Sequence, residues 1–114
     1  MRRPAGFKVS LREAALPFLE ATRAESPASA QARLLSSSDR DLAVVLWALE
    51  ESERAEILAL VGPAKARRLA EELERMAHVR LPPETVAVVA RHLAEHLSGD
   101  RPLGPASRYY KPAR

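Results

Sequence analysis

Between Asp41 and Leu81 the chain reads DLAVVLWALEESERAEILALVGPAKARRLAEELERMAHVRL, a run of short apolar-striped segments separated by helix-start signals. Nothing in it alternates apolar and polar residues over the length of a strand. Each stripe is only a few turns long, and isolated helices of that length are marginal in water. The segments must therefore bury their stripes against one another, which makes a compact all-α domain the expected fold.

Start and stop signals place the helices. Ser10-Leu-Arg-Glu13 has the form of a capping box, in which the serine hydroxyl and the glutamate carboxylate satisfy orphan amides reciprocally. Leu11, Ala14, Ala15, Phe18 and Leu19 follow at helical spacing, with Pro17 expected to kink or shorten this first helix. Ser26-Pro27 marks a second start, since proline's missing N–H costs nothing at the first helical position. That helix is expected to end near Leu35, before a Ser36-Ser37-Ser38 loop. A third helix is capped by Ser38, carries Asp39 and Asp41 at the positive end of its dipole, and shows Leu42, Val45, Leu46 and Leu49 as one stripe widened by Val44 and Trp47. Trp47 reads as core, with a partly exposed ring as the second reading.

Glu50, Glu51 and Ser52 interrupt that stripe, and Ser52 is expected to cap a fourth helix carrying Ile57, Leu58, Leu60 and Val61. Gly62-Pro63 reads as a stop followed by a start. A fifth helix from about Ala64 to Met76 should turn Ala66, Leu69, Leu73 and Met76 inward and place Arg67 with Glu71, Arg68 with Glu72 and Glu71 with Arg75 at i,i+4 outside. Pro82-Pro83 opens the last helix, lined by Val86, Val89, Leu93 and Leu97. About six short helices at quasi-regular spacing suggest a right-handed armadillo-like stack. The expected organisation is a flexible N-terminus over 1–9, one helical domain over 10–98, and a basic, proline-rich flexible tail over 99–114.

Several functional classes are disfavoured by what the chain lacks. It has no cysteine, which removes disulfide scaffolds, thiol catalysis and cysteine-ligated zinc. Leu11 to Leu19 is broken by Arg12, Glu13 and Pro17, so neither a signal-peptide core nor a membrane span is expected, and a soluble cytoplasmic protein is the default. The net charge is +3, but the unbalanced basic residues sit at the two ends, so nucleic-acid binding by the folded core is not expected. Tyr109 and Tyr110, flanked by Arg108 and Lys111, have the chemistry to stack on nucleobases, yet read first as part of the disordered tail. Only four glycines are present, and no nucleophile–base set or phosphate-cradling loop appears, so neither an enzyme nor a cofactor is expected. His92-Leu-Ala-Glu95-His96 fits the His-x-x-Glu-His form of inverted zinc peptidases. The only carboxylate side chain after Glu95 is Asp100, within a loop turn of the motif, so the motif reads as a polar helix face and no metal is expected.

The stretch Leu42 to Leu81 resembles the C-terminal region of the bacterial flagellar motor switch protein FliG. The matching pieces are LAVVLWALEESERAEIL, the helix ARRLAEELERM, and HVRL from His78 to Leu81, over about a third of the chain. The most specific part is the spacing from Glu71-Glu72 to Val79-Arg80-Leu81. The resemblance implies an armadillo-like rotor module at the cytoplasmic face of the flagellar basal body, whose charged helix meets oppositely charged residues of stator or switch proteins, within assemblies that include homo-oligomers. Carried over by position, the family's acidic pair falls on Glu71 and Glu72 and an arginine on Arg80, while its earlier lysine falls on Trp47 and another arginine on Ala64. Lys65, Arg67 or Arg68 stands close enough in sequence to replace one of the two missing charges, so the implied contact edge runs from Lys65 through Arg68 to Arg80. The Gly-Pro that precedes the family's Val-Arg-Leu is Ala77-His78 here, and the Glu-His-Pro-Gln-Arg motif by which the family's middle domain binds the switch protein FliM is absent.

An alternative is the N-terminal cytoplasmic module of MgtE-type magnesium transporters, which shares the helical stack without the Val-Arg-Leu ending and would imply a regulatory domain sensing divalent cations. Without either resemblance, Glu71, Glu72 and Arg80 read as a solvated helix face whose ion pairs are individually worth little.

Overall fold

The computed structural model describes residues 10–99; of the ends read from the sequence as flexible, 1–9 and 99–114, all but Gly99 lie outside the described residues. All regular structure among the described residues is helical: α1 (Leu11–Ala24), α2 (Pro27–Leu35), α3 (Asp39–Ala48), α4 (Glu51–Arg75), a 3-10 turn (Met76–His78) and α5 (Pro83–Ser98).

Local capping chemistry accounts for most of these boundaries. At α1 the capping box forms as expected: the Glu13 amide donates to Ser10 Oγ at 3.1 Å and the Ser10 amide to Glu13 Oε1 at 3.2 Å. Ser26 and Ser38 accept from the amides of Ser29 and Asp41, so the caps read from sequence at α2 and α3 are in place. Pro17 does not shorten α1, which runs on to Ala24. Its ring is exposed, so water can take the Glu13 carbonyl that the missing N–H leaves unpaired.

The start of α4 is a correction. Its cap is Glu50 and not Ser52, because Leu49 turns to extended backbone directly after α3 and the Glu53 carboxylate accepts the Glu50 amide at 3.0 Å. At Gly62-Pro63 the expected break is present: the helix before it and the helix after it meet directly across non-helical backbone at Gly62, and because no loop separates them they are written as one kinked element, giving five α-helices where about six were expected. Gly62 makes the kink at φ +83° and ψ 168°, a region that essentially only glycine occupies. A Cβ placed on Gly62 meets nothing within 4 Å, so a Gly62→Ala penalty is purely a backbone one. The variant should lose ~1–3 kcal/mol in urea titration with an unchanged m-value; a loss near zero would mean the kink relaxes into a straight helix.

The core forms around α3. Every residue from Leu42 to Leu46 is buried, so this helix is apolar nearly all round and occupies the middle, against α1, α4 and α5. Trp47 beside them is half-buried and packs on the core. The most extensive helix pairing joins α1 to α5, the first helix to the last, while α2 bridges α4 and α5. Phe18 and Leu19 of α1 and Val86, Leu93 and Leu97 of α5 are all essentially inaccessible to solvent. The ends of the helical body are thereby closed on each other within one chain. No helix among the described residues is long and apolar enough to cross a membrane.

Candidate interaction surface

The second half of α4, the 3-10 turn and the extended segment that follows carry every residue of the expected charged edge. Their side chains divide into two groups with different environments.

Lys65 belongs to the interior. Only 4% of it is exposed, and its ammonium donates to the Ser37 carbonyl at 2.7 Å and pairs with Asp39 Oδ1 at 2.6 Å. The edge expected to begin at Lys65 therefore begins further along, because this cation is fully spent on the turn between α2 and α3. Arg68 is exposed but also turns to Asp39, with Nε 3.0 Å from Oδ2. The Asp39 carboxylate thus sits between two cations. The Lys65 hydrogen bond, joined by that of Arg68, holds its pKa below the usual carboxylate range against the opposing effect of burial.

The remaining charges face water. Glu72 is partly buried and accepts from Arg75 at 2.7 Å, an i,i+3 pair. None of the three i,i+4 pairs expected on this helix closes; Arg68 prefers the aspartate of another helix and Arg75 the nearer glutamate. Arg67, Glu71 and Arg80 are exposed and have no ion-pair partner among the described residues. Val79, which precedes Arg80 on the segment leaving the 3-10 turn, is 41% exposed. It borders a cleft of about 250 Å³ that Val44, Met76 and Leu81 also line, with Arg40 and Asp41 on α3.

The burial of Lys65 was legible in one respect. Val61, Lys65 and Leu69 follow at i,i+4 and all three are buried, so position 65 shares the inward stripe even though its residue type points outward. The sequence reading placed Ala66 there, which is only partly buried.

Two other polar clusters hold helices together. Arg12 of α1 reaches the buried Glu53 of α4 with Nε 3.1 Å from both carboxylate oxygens, and this contact lowers the Glu53 pKa. Arg23 and Glu56 repeat the arrangement one turn further along, with contacts of 2.7 and 3.0 Å. In the His92-x-x-Glu95-His96 motif, His92 is exposed while His96 Nε2 lies 2.9 Å from Ser36 Oγ on α2. Ser36 Oγ also lies 2.9 Å from the Arg33 carbonyl, to which its hydroxyl donates, so this serine ties the end of α2 to α5 through His96. Burial pushes the His96 pKa down, consistent with a neutral ring there. Among the described residues no group of three or more His, Cys, Asp or Glu side chains is placed to hold a metal ion.

What the surface offers chemically is a set of exposed charges of both signs without ion-pair partners among the described residues, and an exposed valine. Comparison with protein families, with curated proteins and with solved structures finds no match to this chain.

Proposed function

We propose that this chain is a non-enzymatic protein-interaction module of the flagellar motor switch class, an armadillo-like stack that acts in the cytoplasm and meets switch or stator proteins through the edge from Arg67 to Arg80. The observation that carries this reading is that Arg67, Glu71 and Arg80 are exposed and without an ion-pair partner among the described residues, as is Glu74 beside them, while Lys65, Arg68 and Glu72 are engaged internally. Charges left without internal partners are the ones available to steer and orient a second protein. Arg67 takes the part of the charge missing at Ala64, since Lys65 and Arg68 are both committed to Asp39.

Val79, adjacent to Arg80 in sequence, adds exposed apolar surface to that edge, and interfaces combine apolar area with a polar rim. The test is binding of purified switch and stator components to the protein and to a Glu71→Lys, Arg80→Glu double variant. Binding should weaken roughly tenfold in the variant, equivalent to ~1.4 kcal/mol, and should fall with added salt in the parent protein. Retention of full affinity by the double variant would remove this edge from the interface.

A further inference from the structure

A groove of about 420 Å³ lies among α1, α2 and α4, away from the charged edge. Its volume falls within the ~300–1,000 Å³ typical of sites that enclose sizeable groups. Pro27, Ala30, Ala59 and Leu60 give it an apolar lining, and Arg23, Glu25 and Glu56 supply its charge. Arg23 is already paired with Glu56, so the lining carries one carboxylate in excess.

The imbalance extends to the whole folded body. Residues 10–99 carry 11 Lys and Arg against 14 Asp and Glu, whereas residues 100–114 carry 4 against 1. The overall charge of +3 therefore hides an acidic body and basic ends. Residues 108–111 are Arg-Tyr-Tyr-Lys, two aromatic rings between two cations, which is the complement of an apolar groove with an acidic lining.

The described chain ends beside α2, which forms one wall of the groove. The chain leaves α5 through Gly99, in left-handed conformation at φ +76°, and a Cβ there would lie 3.2 Å from the Arg33 guanidinium of α2. Arg33 stands about one turn from Ala30, which lines the groove. Tyr109 follows Gly99 by ten residues, enough to span up to ~33 Å, while the whole of α2 is only ~13 Å long.

We propose that residues 100–114 of this chain occupy the α1–α2–α4 groove, with a ring of the Tyr109-Tyr110 pair on Pro27, Ala30, Ala59 and Leu60, and with one of Arg108 and Lys111 facing Glu25, the carboxylate that Arg23 does not take. The groove is then a self-docking site that a competing basic, aromatic segment would have to displace.

Nuclear magnetic resonance of the full chain tests this directly. Tyrosine ring protons should show Overhauser contacts to the Ala30 and Ala59 methyl groups, at intensities independent of protein concentration. A Tyr109→Ser, Tyr110→Ser double variant should shift the amide signals of residues 22–30 and 56–60 and leave those of α3 in place. Because Ala59 is exposed, Ala59→Arg can be made without disturbing the core, and it should remove the same contacts. Unchanged amide signals in the tyrosine variant, or ring contacts elsewhere, would overturn the proposal. Contacts that grow with concentration would overturn it too, by assigning the segment to another copy.

Discussion

Phe18→Ala is expected to destabilise the protein by ~3–5 kcal/mol, the range for truncating a fully buried phenylalanine. The ring is completely shielded from solvent on α1, in the helix pairing that joins the first helix to the last. Two costs add: the lost transfer of the ring out of water, and the cavity left because α5 and the central α3 hold their positions on the far side. Domains of this size have only ~5–15 kcal/mol of net stability, so the loss is a large fraction of the total. Equilibrium urea denaturation followed by far-ultraviolet circular dichroism measures it, and Glu20→Ala, exposed on the same helix, is the control expected to stay within ~0.5 kcal/mol. A loss under ~1 kcal/mol for Phe18→Ala would show that α1 is not an integral part of the fold.

Lys65→Ala is expected to be the next largest effect, at ~2–3 kcal/mol. The side chain is 4% exposed, and its ammonium both pairs with Asp39 and satisfies the carbonyl of Ser37, a residue that is itself buried. Removing it leaves that carbonyl without its donor, at a cost of ~1–3 kcal/mol, and also forfeits the packing of the lysine stem. Asp39 softens the effect, since it keeps Arg68 and is partly open to water. Lys65→Met restores the stem and not the donor, so the difference between the two variants separates packing from charge.

The pH dependence supplies a second readout. The Asp39 pKa is depressed in the folded state, so its contribution is complete above the unfolded value of about 3.8 and is lost as pH falls through the lower folded value. In Lys65→Met the acid loss attributable to Asp39 should shrink, because the largest cause of the depression has gone. An acid limb identical to that of the parent protein would place the pairing elsewhere.

Helix positions were the most legible part of this molecule. Ser10, Ser26, Ser38 and Pro83 mark starts that the structure keeps, because a cap acts through atoms within three or four residues of itself. The start of α4 was misread because its acceptor, Glu53, is also the partner of Arg12 on a different helix. The shortening allowed for at Pro17 does not occur, because a proline's effect depends on whether the freed carbonyl faces water, which local sequence does not specify.

The charged edge shows the same limit more sharply. Lys65, Arg67, Arg68, Glu71, Glu72 and Arg80 are equivalent as letters, yet one is buried, one is drawn to α3, one holds a neighbour, and three stand exposed without partners among the described residues. Helical periodicity supplied half of the answer by putting position 65 in line with Val61 and Leu69. The other half is that the α2–α3 turn comes to rest opposite it, bringing the Ser37 carbonyl and Asp39 within reach.

By itself, then, the amino-acid sequence determined an all-helical chain, the approximate span of each helix, and the break at Gly62-Pro63, since all of these follow from short-range sterics and hydrogen bonding. Only the tertiary structure decided that α1 closes on α5, that the Lys65 ammonium is internal, and that Arg67, Glu71, Glu74 and Arg80 stand exposed without an ion-pair partner among the described residues. Those outcomes depend on which residues distant in sequence become neighbours. Burial then sets the worth of each charge, because a cation removed from water must be paired where it lies, whereas one that remains in water is free to meet a partner.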